Sequence, residues 1–109
     1  MTATTVSSAF DATRAYRQST DIGLRPEPFG ALAYHFVTRR LVFLKSPLLV
    51  DLVTSLDAHG SADEAIDSVD AIVAQIAANP TKRTTYHQAL ASLLESGVIE
   101  PAPTPQAAP

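Results

Sequence analysis

The chain has 109 residues, 46% of them hydrophobic, with a formal net charge of -3; that is one small domain with a limited core, and only one is expected. The absence of cysteine excludes disulfides, thiolate metal sites and cysteine nucleophiles. No apolar run reaches the roughly 18 residues of a spanning helix, and the start Met-Thr-Ala-Thr-Thr has neither a basic region nor an apolar signal core, so a cytoplasmic protein without membrane contact is expected.

Charge is unevenly placed. Residues 1–45 hold six Lys and Arg against three Asp and Glu, whereas residues 46–109 hold two against eight. This reads either as scatter on a small surface or as the complement of a partner with matching halves.

Residues 1–18 are small, polar and aperiodic, which predicts a disordered N-terminal arm, with any order beginning near Phe10 or Tyr16. Asp21 to Arg25 alternates like a short strand that Pro26-Glu27-Pro28 ends, since neither proline can donate to a ladder. Phe29-Gly30 then turns the chain into two apolar runs, Ala31 to Val37 and Arg40 to Lys45, whose aromatic and β-branched residues predict a β-hairpin. With no glycine or asparagine in Thr38-Arg39, a three- or four-residue loop around Val37 to Arg40 is expected instead of a two-residue turn. Leu32, Tyr34 and Phe36, with Leu41 and Phe43, are expected to lie on the core. The opposite face, Ala33, His35, Val37, Val42 and Leu44, is too apolar for open water. It calls for a cover, which a helix, another strand or a partner peptide would supply.

Ser46-Pro47 is an N-cap followed by proline at the first helical position, so a helix starts there. Leu49, Leu52, Val53 and Leu56 give it one apolar face, and Gly60 is the expected terminator. Ser61-Ala-Asp-Glu64 has the spacing of a capping box, opening a second helix along Ile66, Val69, Val73 and Ile76. The two helices, separated by Gly60-Ser61, resemble a helix-turn-helix unit. Asn79-Pro80 opens a third helix with a stripe of Tyr86, Ala89, Leu90, Leu93 and Leu94, closed at Gly97 by a Schellman turn. The Pro/Ala-rich stretch over residues 100–109 is expected to be a disordered tail.

Nothing in this pattern assembles a catalytic centre. His35, His59 and His87 are too scattered for a metal-ligand spacing, and there is no phosphate loop or nucleophile elbow, so neither an enzyme nor a cofactor is expected. Asp63, Glu64, Asp67 and Asp70 read as a capped, solvated helix face in preference to a cation site. Two binding classes remain. One is a winged helix-turn-helix DNA binder whose third helix opens with Thr81-Lys82-Arg83-Thr84-Thr85. The acidic second half opposes it, because two basic residues supply few phosphate contacts. The other is a hairpin edge that accepts an extended peptide as an added strand.

Arg25-Pro-Glu-Pro-Phe-Gly-Ala-Leu-Ala-Tyr-His-Phe36, then Arg39-Arg-Leu and Phe43-Leu-Lys-Ser-Pro47, closely resemble the mycofactocin biosynthesis chaperone family, MftB. The likeness runs on more loosely through Ser61 to Ile66 and Leu93 to Ile99. It implies an α+β fold of the PqqD-like winged-helix type, the RiPP recognition element, over residues 19–99: a three-stranded antiparallel sheet followed by three helices. It further implies partners: the leader of the mycofactocin precursor peptide, bound by strand addition, and a radical SAM maturase to which the leader is presented. No nucleic acid is implied, and the protein is expected as a monomer or weak homodimer.

Carried onto this chain, the leader would lie antiparallel to Arg40, Leu41, Val42, Phe43, Leu44 and Lys45. It would face Lys82, Arg83, Tyr86, His87 and Leu90 on a helix running from about Thr81 to Ser96. Val42 and Leu44 are expected to point to the leader, with Tyr86 and Leu90 on the opposite wall. Arg25, Glu27 and Phe29 have two readings, a structural turn that orders the sheet or a docking surface for the maturase.

Overall fold

A computed structural model of the chain describes residues 10–102. In chain order the elements are β1 (Tyr16–Gln18), β2 (Ile22–Glu27), β3 (Gly30–His35), β4 (Leu41–Leu44), α1 (Pro47–Ser55), α2 (Ala62–Ser68), α3 (Asp70–Ala78), α4 (Lys82–Glu95) and β5 (Ile99–Pro101). This is an α+β fold. A three-stranded antiparallel sheet has the spatial order β2-β3-β4, and β1 pairs antiparallel with β5 in a separate two-stranded ribbon.

The hairpin of β3 and β4 forms as the alternation predicts, and β2 extends it. The loop is four residues long, closed by the His35 N–H donating to the Arg40 carbonyl at 2.9 Å. Arg39 takes the positive φ of 64° that a glycine or asparagine would otherwise supply. His35 holds this loop, because its Nδ1 accepts from the N–H groups of Val37 and Thr38, both at 3.2 Å. At the other end Gly30 has φ 148° and lies so close to the Leu44 carbonyl that a Cβ could not fit.

Two helix starts follow the sequence, whereas Asn79-Pro80 forms a turn ahead of α4, which begins only at Lys82. The Ser46 hydroxyl accepts from the Leu49 N–H at 3.3 Å with Pro47 at the first helical position. Ser61 accepts from the Glu64 N–H at 3.1 Å, and the Glu64 carboxylate reaches back to the Gly60 N–H at 2.9 Å. The Schellman closure of α4 is complete: Val98 N–H donates to the Leu93 carbonyl, Gly97 N–H donates to the Leu94 carbonyl, and Gly97 has φ 84°.

Several expectations are corrected. Pro26 does not end β2, which runs on to Glu27, because Pro26 sits at an outward-facing edge position where no ladder donor is needed. Gly60 does not terminate α1 in a left-handed conformation; a 3-10 turn at Leu56–Ala58 ends it. The second predicted helix is two helices, broken at Val69, whose backbone is extended (φ -97°, ψ 105°). The break shifts the phase, so Ile72 is fully buried while Val73, on the predicted stripe, is exposed. The ribbon was not foreseen at all; it brings Tyr16–Gln18 against Ile99–Pro101, inside and beside segments expected to be disordered. Residues 1–9 and 103–109 of those segments lie outside the described chain.

The largest correction concerns the facing of the sheet. Ala31, Ala33 and Leu44 are enclosed, and they join Leu52, Val53, Leu56, Ile66 and Leu90 in the core. Tyr34, Phe36, Leu41 and Phe43, expected inside, lie outside. Alternation requires the two sets to occupy opposite faces, but it does not select the inner one. Size does: the small Ala31 and Ala33 let α1 settle directly on β3, where the bulky alternates would hold it off.

Candidate functional site

Strand β4 is an edge of the sheet. Given the His35 to Arg40 bond, antiparallel alternation assigns the groups bonding β3 to Val42 and Leu44, opposite Ala33 and Ala31. The N–H and C=O groups of Leu41 and Phe43 therefore project from the free edge. No proline interrupts them.

The opposite edge is protected. The Phe36 N–H donates to the Asp21 carbonyl at 2.8 Å, which fixes the phase of β2 and turns the main-chain groups of Ile22, Leu24 and Pro26 outward. Pro26 has no N–H, while Ile22 donates to the Ser19 carbonyl and accepts from Gln18 Nε2 at 3.1 Å. Leu24 is left as the one outward residue with both groups open among the described residues, too little for a ladder. Of the two edges, β4 is the more open one among the described residues.

The side chains around β4 divide by face. Leu44 is fully enclosed and Val42 half-buried, whereas Leu41 and Phe43 are exposed. The expectation that Leu41 and Phe43 support the core while Val42 and Leu44 face outward to a peptide is thus corrected: Leu44 belongs to the core, and Leu41 and Phe43 lie on the outer face. On the outer face Phe29 and Phe43 meet edge to face, with centroids 6.0 Å apart, and together with Lys45 they line an open hollow of about 310 Å³. Arg40 is exposed at the start of the strand.

Helix α4 offers less than the sequence promised. Leu90 is fully enclosed and Tyr86 is 8% exposed, so neither lines an open wall. The Tyr86 hydroxyl donates to Gln75 Oε1 at 2.7 Å, and burial raises its pKa above the usual phenol value. Arg83 is engaged by Asp67 at 2.6 Å and Asp63 at 3.1 Å; the Asp67 hydrogen bond leads in raising its already high pKa. His87 Nε2 lies 2.7 Å from the same Asp63 oxygen, and its ring is tilted 50° against that of Phe10 with centroids 6.1 Å apart. Of the basic cluster weighed for DNA, Arg83 is thus tied to two carboxylates. Asp63, Glu64 and Asp67 are likewise spent on ion pairs and capping.

Arg25 and Glu27 pair with each other at 2.8 Å on the surface of β2. With Phe29 they border the outer face of the sheet, not the helical face.

Residues 15–100 match the peptide chaperone MftB family. The chain belongs to that family. It is 38% identical over 92 residues to peptide chaperone MftB of Mycolicibacterium smegmatis, a match covering 84% of this chain and 83% of that protein. Shorter matches reach 51% identity over 51 residues with the MftB of Mycobacterium ulcerans and 50% over 50 residues with that of Mycobacterium tuberculosis. These cover 47% and 46% of each chain respectively. No solved structure matches. The family span includes β1 and reaches Glu100 in β5, so the unforeseen ribbon lies within it. No helix among the described residues is long and apolar enough to cross a membrane.

Proposed function

We propose that this chain is a non-catalytic, cytoplasmic peptide chaperone of mycofactocin biosynthesis, a PqqD-like winged-helix element that binds the precursor's leader and presents it to a radical SAM maturase. The leader adds antiparallel to β4. The observation that carries this reading is the contrast between edges: Leu41 and Phe43 present an uninterrupted row of main-chain donors and acceptors, whereas Pro26 and the satisfied Ile22 blunt the far side. Main-chain pairing supplies affinity in such complexes, and alternate side chains supply specificity. Nothing in the role demands a bond made or broken by the chaperone itself.

A titration of labelled precursor peptide tests it. Phe43→Pro deletes an edge donor without touching the β3 ladder, and Phe43→Ala deletes only the side chain. One lost hydrogen bond of about 1 kcal/mol predicts leader affinity roughly fivefold to tenfold lower in the proline variant than in the alanine variant. Equal affinities, with circular dichroism showing both folded, would remove β4 from the reading.

A further inference from the structure

Six of the seven large hydrophobic side chains that the described residues expose come from one stretch: Phe29, Tyr34, Phe36, Val37, Leu41 and Phe43. Register places Tyr34, Leu41 and Phe43 on the outer face of the sheet. Phe36 joins them, its ring 5.7 Å from Tyr34 and seated over Gly23, where a Cβ would come within 3.1 Å of it. Core packing does not account for this surface, because the core lies on the other face. A contiguous exposed apolar patch of this kind marks an interaction site.

The rim is cationic. Lys45 flanks the patch and Arg39 and Arg40 stand at its hairpin end, all exposed, while Arg25 on the β2 side is paired with Glu27, so the rim is positive on balance. From residue 46 onward the chain carries eight acidic residues against two basic ones. We propose that the outer face of β2, β3 and β4 is the docking surface for a folded protein partner whose contact patch is apolar with an acidic rim. Resting on the reading above, that partner is the radical SAM maturase. A second copy of this chain is the poorer occupant: face-to-face pairing would set the same cations against themselves. Pairing this face with the acidic helices would be heterologous, building a ring or an open chain of copies and not a closed two-fold dimer. The hollow between Phe29, Phe43 and Lys45 then takes one apolar partner side chain, with an acidic neighbour at the ammonium.

The test uses the double variant Tyr34→Ser/Phe36→Ser on the central strand, away from the β4 edge, and Arg25→Glu on β2. Purified maturase binding is measured by interferometry, leader binding separately by calorimetry, and association state by sedimentation. The expected result is maturase affinity about tenfold or more lower in each variant, the scale of an interface anchor, with wild-type binding weakened by salt. Leader affinity and melting temperature should be unchanged. Absence of wild-type maturase binding, or full affinity in the folded double variant, would overturn the proposal. So would a wild-type dimer that the double variant dissolves, which would give the face to a second copy, or a loss of leader affinity, which would give it to the leader. A wild-type protein that binds maturase through this face but takes no leader sinks the strand-addition reading and leaves the docking surface standing.

Discussion

Phe43 and Leu44 are neighbours in the chain and belong to opposite worlds: Phe43 is 57% exposed on the outer face, while Leu44 is wholly enclosed against the helices. Their consequences under mutation should differ accordingly. Leu44→Ala is expected to cost about 2–5 kcal/mol of stability, the range for emptying an enclosed leucine site. Phe43→Ala should change it by about 0.5 kcal/mol or less, as at other surface positions. Urea denaturation of the two variants checks this, and comparable losses would mean that the facing of β4 is misassigned. By the same reasoning Leu44→Asp should unfold the domain, and Phe43→Asp should leave it folded.

The ribbon makes Tyr16 a core residue. Its ring is fully enclosed and stacks on Phe10 at 5.2 Å, and its hydroxyl accepts from the Asp11 N–H. Tyr16→Ala should therefore cost on the order of 3–5 kcal/mol, as for other buried aromatics. A chain beginning at residue 19 should be less stable still, since it loses the partner of β5 as well. Thermal melts that coincide with the full-length protein would contradict the enclosure of Tyr16.

Glycines at the two ends of the sheet make a second contrast. At Gly30 a Cβ would collide with the Leu44 carbonyl and come within 2.9 Å of the Ser46 nitrogen, both main-chain atoms that cannot step aside. Gly30→Ala is expected to destabilise by about 1–3 kcal/mol or more, the scale of a strained backbone site. At Gly23 the neighbour is the exposed ring of Phe36, which can tilt away, so Gly23→Ala should be close to neutral. Chemical denaturation of both variants decides between these outcomes.

Arg39 pays a conformational penalty at φ 64° that glycine would not. Arg39→Gly should accordingly raise stability or leave it level, with a gain of up to about 1 kcal/mol. His35→Ala should lower it, because the Val37 and Thr38 N–H groups lose their acceptor. A destabilised Arg39→Gly protein would show that the arginine side chain contributes more than the turn geometry explains.

The parts of the fold that were legible in the sequence are those governed by neighbouring residues. Ser46-Pro47, the Ser61/Glu64 box and Gly97 each mark a helix end by chemistry that acts over a few residues. The hairpin was legible for the same reason, and with it the candidate edge. The facing of that hairpin was not, because it depends on which row of side chains lets α1 come close, a tertiary matter. Reading bulk as burial favoured the aromatic row over Ala31 and Ala33. The break at Val69 was hidden because Val69 and Val73 keep the helical period across it. Three-residue strands at opposite ends of the chain carry almost no local signal, so β1 and β5 were invisible. The docking face had a visible trace, a hairpin apolar on both sides, but the covered side and the open one were exchanged.

The Arg17 to Glu100 contact spans 83 positions, whereas the hairpin closes over a four-residue loop. Loop closure costs more entropy as the span grows, so the hairpin is expected to form before the ribbon, and folding kinetics of Tyr16→Ala should show its loss of stability mainly as faster unfolding. On the ribosome this imposes an order of events. The sheet and α1 can form while the remaining helices are still being made, but β1 has no strand to pair with until Ile99–Pro101 have been synthesised. Among the described strands, β1 is thus the first made and the one that waits longest for its partner.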